Sequence, residues 1–438
     1  MKLLFFFILV LPAAAQDTTR LSLMFIGDIM QHDSQLQSAY NRSSGRYEYD
    51  TCFHFISRYF RMADMTVGNL ELTLGGKPYR GYPQFSAPDE LAVALKNAGI
   101  DVLVTANNHS LDRRRKGLER TIRVLDSLNI LHTGTFRDTV ERLNDYPLLL
   151  QANGITVALL NYTYGTNGIP VTRPNVVNLI DTAVISRDLK EARQRSPDAI
   201  IVFMHWGSEY QTQPTAQQKE LASFCFSRGA SIVVGAHPHV LQPVYLMDGQ
   251  NRLVAYSLGN FISGQRDHPR DGAASLWVDL MKVYTSDSSY TRISDARYLL
   301  HWVYRSPLPN RRYVILPVPD FESDTVFFRT DPVAKEAFQK FIVFARRLLN
   351  AGKHGPPEML TPAPDPVVRY KVTWRMPAGN DSTLLLPDDF RFGLIQHADD
   401  DHHVRCETGN FRTLREAALF AERLKRRFKE VEIIRVKL

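Results

Sequence analysis

The chain has 438 residues, 44% of them hydrophobic and 23% charged, with a formal net charge of +7 and three cysteines. That balance excludes a disordered or fibrous chain, and the length fits about two or three globular domains. Cys52, Cys225 and Cys406 are odd in number and far apart, which excludes a disulfide framework or a zinc knuckle.

The first residues, MKLLFFFILVLPAAAQ, place one lysine before an apolar run and end on small residues. This is the pattern of a cleaved export signal over residues 1–15, with an uncleaved N-terminal anchor as the alternative. The mature chain is therefore expected in the periplasm or outside the cell. The apolar run is too short to span a bilayer, and no later stretch is apolar enough, so no transmembrane span is expected after cleavage. In that compartment nucleic acid is not an expected partner. The basic runs at 113–116 (RRRK) and 425–427 (KRR) read as solvated faces or as weak attraction to anionic wall or capsule polymer.

From residue 21 to about 283, short apolar runs alternate with helical patterns. The runs are LSLMFI (21–26), DVLVTA (101–106), ITVALLNY (155–162), AIIVFM (199–204), SIVVGA (231–236) and RLVAYSL (252–258). Helical patterns cover 89–97, 117–128 and 216–228. Strands apolar on both faces and separated by helices predict an α/β fold with covered sheets. Residues 284–330 carry no clear period. Residues 333–350 read as a helix with Phe338, Ile342, Ala345 and Leu349 on one stripe. The main domain is thus expected over 17–350. Residues 351–366 are proline-rich and read as a linker. A small α+β unit is expected over 367–438, with strands at 368–374, 403–409 and 432–438. Its helix covers 414–427, capped by Thr413 with Glu416 three residues on.

The apolar runs end in a recurring way. LSLMFI is followed by Gly27-Asp28-Ile29-Met30-Gln31-His32, MTV by Gly68-Asn69-Leu70-Glu71, and DVLVTA by Asn107-Asn108-His109-Ser110-Leu111-Asp112. AIIVFM leads into His205-Trp206-Gly207-Ser208-Glu209, SIVVGA into His237-Pro238-His239, and RLVAYSL into Gly259-Asn260. One polar residue after a strand is ordinary; six such events imply convergence, because strand carboxyl ends in open α/β sheets face one crevice. A His/Asp/Glu/Asn set without thiolates suits two divalent ions, Zn, Mn or Fe, clamping an anionic tetrahedral centre. The His-Pro-His turn can deliver one imidazole to each ion or both to one, with Pro238 stiffening the loop. No G-x-S-x-G elbow, P-loop or G-x-G-x-x-G fingerprint is present.

The motifs GDIM, GNLE, ANNHSLD, MHWGSEY, GAHPHVLQP and YSLGNF, in this order, resemble the CapA family of capsule or poly-γ-glutamate biosynthesis proteins, related to calcineurin-like metallophosphoesterases. The resemblance runs from about residue 21 to about 281. It implies a four-layer αββα sandwich with a dinuclear metal site. It implies Asp28, Asn108, His205, His237 and His239 as ligands, and His109 as general acid or transition-state stabiliser. Glu71 stands where the phosphoesterases carry a bridging Asp. Their first motif is Asp-x-His; here position 30 is Met, and His32 either substitutes or is a loop residue. Glu209 is expected to orient a ligand imidazole. Asn260 either does likewise, binds substrate, or is a turn residue.

The segment from His403 to the end is similar to the second half of SPOR domains, which implies binding to peptidoglycan glycan; a plain packing domain is the alternative. Three functions follow. The leading one is an exported metal-dependent hydrolase acting on an envelope polymer or its precursor, at a phosphoester or a γ-glutamyl amide. The second is a non-catalytic capsule export or anchoring factor. The third is a wall-binding module working through its tail. The polymer expected as partner is poly-γ-glutamate, capsule or peptidoglycan glycan.

Overall fold

The structure is a computed structural model that describes residues 17–247, 249, 251–307, 312–351, 354–363, 368–377, 395–400, 403–411, 414–425, 428 and 430–437. The expected export signal and the Thr413 cap lie outside the described residues.

Two sheets form the large domain. The first has seven strands, in the order Tyr313–Pro317, Ser289–Arg305, Gly272–Tyr284, Asp17–Ile29, Met65–Leu70, Val102–Val104 and Leu131–Thr133. The last four run parallel, and Gly272–Tyr284 joins Asp17–Ile29 antiparallel. The second has six strands, in the order Val244–Met247, Arg252–Ala255, Ile232–Ala236, Ala199–His205, Ile155–Thr163 and Leu148–Ala152. Its central four are parallel and its edges antiparallel.

Side-chain alternation decides the layers. Leu21, Leu23 and Phe25 point toward the second sheet and meet Val157, Leu159, Ile201, Phe203 and Val234 in one core. Their neighbours Met24 and Ile26 point the other way, against Phe53, Tyr59, Phe60, Leu91 and Leu95 of the helices Asp50–Phe53, Ser57–Phe60 and Asp89–Ala98. On the far side of the second sheet, Leu160, Val202 and Val233 pack on Ile185 and Leu189 of the helix Thr182–Gln194 and on Leu221 and Cys225 of the helix Ala216–Ser227. Helix, sheet, sheet and helix stack in that order, the four-layer αββα sandwich implied by the sequence resemblance. The helix Pro332–Leu349 buries Phe338, Ile342, Ala345 and Leu349, the stripe read from the sequence.

The region without a clear period, 284–330, turns out to hold the strands Ser289–Arg305 and Tyr313–Pro317. The first of these starts exposed and polar and becomes buried only from about Leu299, so no single period runs through it. The three cysteines are buried and form no disulfide with one another. The C-terminal unit has a four-stranded antiparallel sheet, in the order Ile395–Asp400, His403–Phe411, Val368–Pro377 and Glu432–Lys437. The helix Leu414–Lys425 covers one of its faces through Ala417, Phe420, Ala421 and Leu424. No helix of the described residues is long and apolar enough to cross a membrane.

Phe203 sits wholly buried between the two sheets. Phe203→Ala is expected to destabilise the large domain by about 3–5 kcal/mol in urea unfolding. A loss below about 1 kcal/mol would mean that the inter-sheet core does not hold the domain together.

Candidate metal centre

Both sheets send the carboxyl ends of their parallel strands to the same edge, and the polar residues that follow them meet there. The approach is closest where the first strand passes Gly259. A Cβ on Gly27 would lie 2.0 Å from the Gly259 carbonyl oxygen, and the Asp28 amide donates to that oxygen at 3.0 Å. Only glycine fits at position 27, which sets Asp28 beside Asn260.

Asp28 is wholly buried. Its Oδ1 accepts from Asn69 Nδ2 at 2.8 Å, and its Oδ2 lies 3.1 Å from His239 Nδ1. Asn69 Nδ2 also reaches His205 Nδ1 at 3.2 Å, joining the two sheets. His205 Nε2 is 2.9 Å from Asn108 Oδ1 and 3.4 Å from Glu71 Oε1. His239 Nε2 is 3.7 Å from the same Glu71 oxygen. His237 and His239 hold left-handed backbone, with φ of 95° and 59° on either side of Pro238. Such a conformation in a residue with a Cβ costs about 1–3 kcal/mol and is kept where surrounding structure imposes it. Here it turns both imidazoles inward.

Three groups of donors gather within 4.8 Å: Asp28, Glu71 and His239; Glu71, His205 and His237; and Glu209, His237 and His239. The first two are buried and share Glu71. Neither carboxylate oxygen of Glu71 has a hydrogen-bond partner, and neither has His237 Nδ1. A buried carboxylate without a partner is costly, and a cation shared between its two oxygens relieves that cost. The donors present therefore fit divalent cation binding, with Glu71 common to both buried groups. Asn108, through Oδ1, stands next to the second group.

Protonation follows the same geometry. Burial first, then the negative charge of the neighbouring Asp28, hold the Glu71 carboxyl well above the usual carboxylate range. Burial pushes Asp28 up too, but the hydrogen bond and charge of His239 and the bond from Asn69 outweigh it, and its pKa is lowered. Burial, then the neighbouring imidazoles, holds His205 well below the imidazole range; burial and His239 bring His237 down to about 3. Both imidazoles are thus neutral and ready to ligate at neutral pH.

The other expected residues sit around this cluster. His109 Nδ1 is 2.7 Å from Asp112 Oδ2, and that oxygen also accepts from the Phe85 amide at 2.7 Å. The Phe85 ring stands edge-on to His109 at 4.6 Å. Asn260 places Oδ1 3.1 Å from His239 Nδ1 and donates through Nδ2 to the Arg270 carbonyl at 3.0 Å. Glu209 is exposed and forms the outer member of the third group. His32 belongs to none of the three groups. Its Nδ1 accepts from the Gly264 amide at 3.1 Å, and the residue caps the helix Asp33–Ala39. Met30, where the phosphoesterase pattern has histidine, is buried in the outer core.

Several site residues carried no role in the sequence reading. Asn69 sits two residues before Glu71, on the same side of the strand end, and Asp112 follows His109 by three; both spacings were available signals. Tyr164, just past the run 155–162, lies parallel to His205 at 6.2 Å and 4.6 Å from the His237 ring, and is 48% exposed. Burial and the nearby carboxylates raise its phenol to about 12. Tyr210 and Arg270 reach the site through loops, with no sequence signal.

The description "Bacterial capsule synthesis protein PGA_cap" matches residues 22–265, more than half of the chain. The chain belongs to this family. It is 29% identical over 269 residues to the capsule biosynthesis protein CapA of Bacillus anthracis, covering 58% of this chain and 63% of that one. It is also 29% identical over 255 residues to the PGA biosynthesis protein CapA of Bacillus subtilis (strain 168), covering 56% and 64%. The matched stretch thus spans a little under two thirds of these relatives' length. The backbone is similar to the calcineurin-like phosphoesterase YfkN from Bacillus subtilis, with 13% identity, a TM-score of 0.42, and coverage of 75% of this chain and 100% of that one.

Because the raised Glu71 carboxyl must be ionised to hold a cation while His205 and His237 are already neutral, metal binding is expected to release protons and to tighten as pH rises. Calorimetry in buffers of different ionisation heat measures the release, and Glu71→Gln should abolish it together with binding. The lowered His205 and His237 leave the unfolded chain with more protons between about 3 and the ordinary imidazole value of 6.5, so they make the metal-free fold gain stability as pH rises through that window. Glu71 acts in the opposite sense: its raised pKa stabilises the fold at low pH, and that stability is lost as pH rises through it.

Proposed function

We propose that this protein is an exported metal-dependent hydrolase acting on an acidic envelope polymer or its precursor. The observation that carries the reading is the buried, unpartnered Glu71 carboxylate common to two His-containing donor groups. The names of the relatives, capsule and PGA biosynthesis, supply the polymer. The apolar segment at residues 1–15, read as an export signal, supplies the compartment.

Asp28, Glu71, Asn108, His205, His237 and His239 would hold two divalent ions, Zn, Mn or Fe. When bound, such ions polarise the bond under attack and lower the pKa of water. The chain's own residues do the rest. Asn69 orients Asp28 and His205 together through one amide nitrogen. Asn260 and Asp28 fix His239 from the Nδ1 side. Asp112 holds Nδ1 of His109, which leaves Nε2 to face the departing group; in the doubly protonated imidazole both nitrogens carry a proton, and the Nε2 proton would pass to that group or steady its charge. Phe85 packs on that ring and keeps water from its flank. Tyr164 walls the pocket beside His205 and His237. This machinery suits a phosphoester, and it suits an amide of the γ-glutamyl kind if His109 protonates the leaving nitrogen.

A second reading, polymer retention without turnover, draws on the C-terminal sheet. Val372 and Trp374 face the helix Leu414–Lys425, so alternation turns Lys371 and Arg375 to the opposite face, where Arg375 pairs across the strand with Arg405. Arg375 also lies 3.9 Å from Glu430, which offsets part of that charge, so attraction of a polyanion to this face rests on the exposed Arg405. Peptidoglycan glycan, the ligand implied by the SPOR resemblance, is the alternative occupant.

The purified chain is expected to hold about two equivalents of Zn, Mn or Fe by elemental analysis, lost in Asp28→Ala/His237→Ala. His109→Ala should keep the metal and lower kcat about 10²–10⁴-fold on a phosphoester or γ-glutamyl substrate. Absence of both metal and turnover, with polymer pull-down that depends on residues 351–438, would favour retention instead.

A further inference from the structure

The loops beside the His-Pro-His turn carry a cation that the reading above does not use. Tyr210 follows Glu209, and its amide donates to the Pro238 carbonyl at 2.8 Å, so its loop is braced on the His-Pro-His turn. The Tyr210 ring lies 6.1 Å from His239 and is 44% exposed. The Arg270 guanidinium stacks over that ring at 4.6 Å from its centre. The backbone of Arg270 is tied to the same centre from the other side, because its carbonyl accepts from Asn260, whose Oδ1 touches His239. Arg270 is thus positioned twice over, through Tyr210 and through Asn260, by residues that contact the metal-ligand histidines.

The ion pair that Arg270 makes in this structure is with Asp267, three residues earlier, whose side chain is 84% exposed. A pair with so open a partner is screened by solvent and exchanges readily. A guanidinium held over an aromatic ring can still offer its N–H groups to a planar anion. The group already seated on that edge is a carboxylate.

We propose that Arg270 is a specificity-determining residue that binds a carboxylate of the substrate adjoining the reacting group, with Asp267 holding the position until that carboxylate displaces it. This rests on the reading of the centre as one that acts on an acidic polymer and names the polymer's chemistry: a chain with a free carboxylate on the unit next to the one at the metal centre. Arg270 would set the register of that chain, stacked on Tyr210 and directed by it.

The test uses the full chain loaded with Mn and two probes measured by calorimetry, inorganic phosphate and a γ-linked glutamate oligomer of about ten residues. Arg270→Gln is expected to weaken the oligomer about ten- to hundred-fold more than it weakens phosphate. Arg270→Lys, which keeps the charge and loses the fork, should fall between. Asp267→Asn should tighten the oligomer a few-fold by removing the resident competitor. An oligomer in which every α-carboxylate is an amide should bind wild type and Arg270→Gln alike. Equal oligomer affinity in wild type and Arg270→Gln, or no binding by wild type, would overturn the proposal. Arg270-dependent oligomer binding without any phosphate binding would uphold this residue and overturn a phosphoester as the bond cleaved at the centre.

Discussion

The carboxylate of Glu71 is the constraint on which the rest of the site depends. It is wholly buried, it has no hydrogen-bond partner, and Asp28 stands close enough to raise its pKa further. A protein interior does not keep such a group without compensation, since an unpaired buried carboxylate costs several kcal/mol. The groups around it are histidines held neutral and an aspartate held ionised. That combination repels a proton less well than it attracts a cation. The donors gathered at Glu71 therefore suit a divalent cation, and Glu71 is common to two of the donor groups.

The αββα sandwich is what makes the arrangement possible. Two mixed sheets packed face to face bring the carboxyl ends of their parallel strands to one edge, so candidate ligands from one sheet, Asp28 and Glu71, meet candidate ligands from the other, His205, His237 and His239. The inter-sheet core of Phe25, Ile201, Phe203 and Val234 fixes the distance between the sheets. Above it, Asn69 bridges Asp28 and His205 with one side chain. Small errors in sheet spacing would break that bridge, so core packing and site geometry are one problem. The left-handed backbone at His237 and His239 is the local expense of turning two imidazoles back toward the core.

Around the centre the walls differ in character. One side is aromatic and neutral, with Tyr164 over His205 and His237 and with Phe85 against His109. Glu209, Tyr210 and Arg270 stand beside the His-Pro-His turn, with Glu209 close enough to Tyr164 to help raise its phenol.

Much of the fold was legible in the sequence because its strands are buried on both faces and read as unbroken apolar runs, such as AIIVFM and SIVVGA. The polar cluster was legible for the same reason, since Asp, Glu, Asn and His residues follow the runs that carry them; the choice of Asp28, Glu71, Asn108, His205, His237 and His239 among them came from the resemblance of the motifs to a family. The strands Ser289–Arg305 and Ile395–Asp400 were not, because partly exposed antiparallel strands mix polar and apolar residues without one period. Position along the chain also cannot say which polar residues touch. His32 and Asn260 had equal standing in the sequence, yet Asn260 reaches His239 while His32 spends its Nδ1 on a backbone amide at a helix start. The roles of Asn69 and Asp112 needed the direction of a side chain, and those of Tyr210 and Arg270 needed the path of two loops. The sequence by itself determined the α/β class and the chemistry of the donors, since both follow from residue type at strand ends. Only the tertiary structure decided which donors share Glu71 and which cation faces them, because those depend on how two sheets and their loops pack in space.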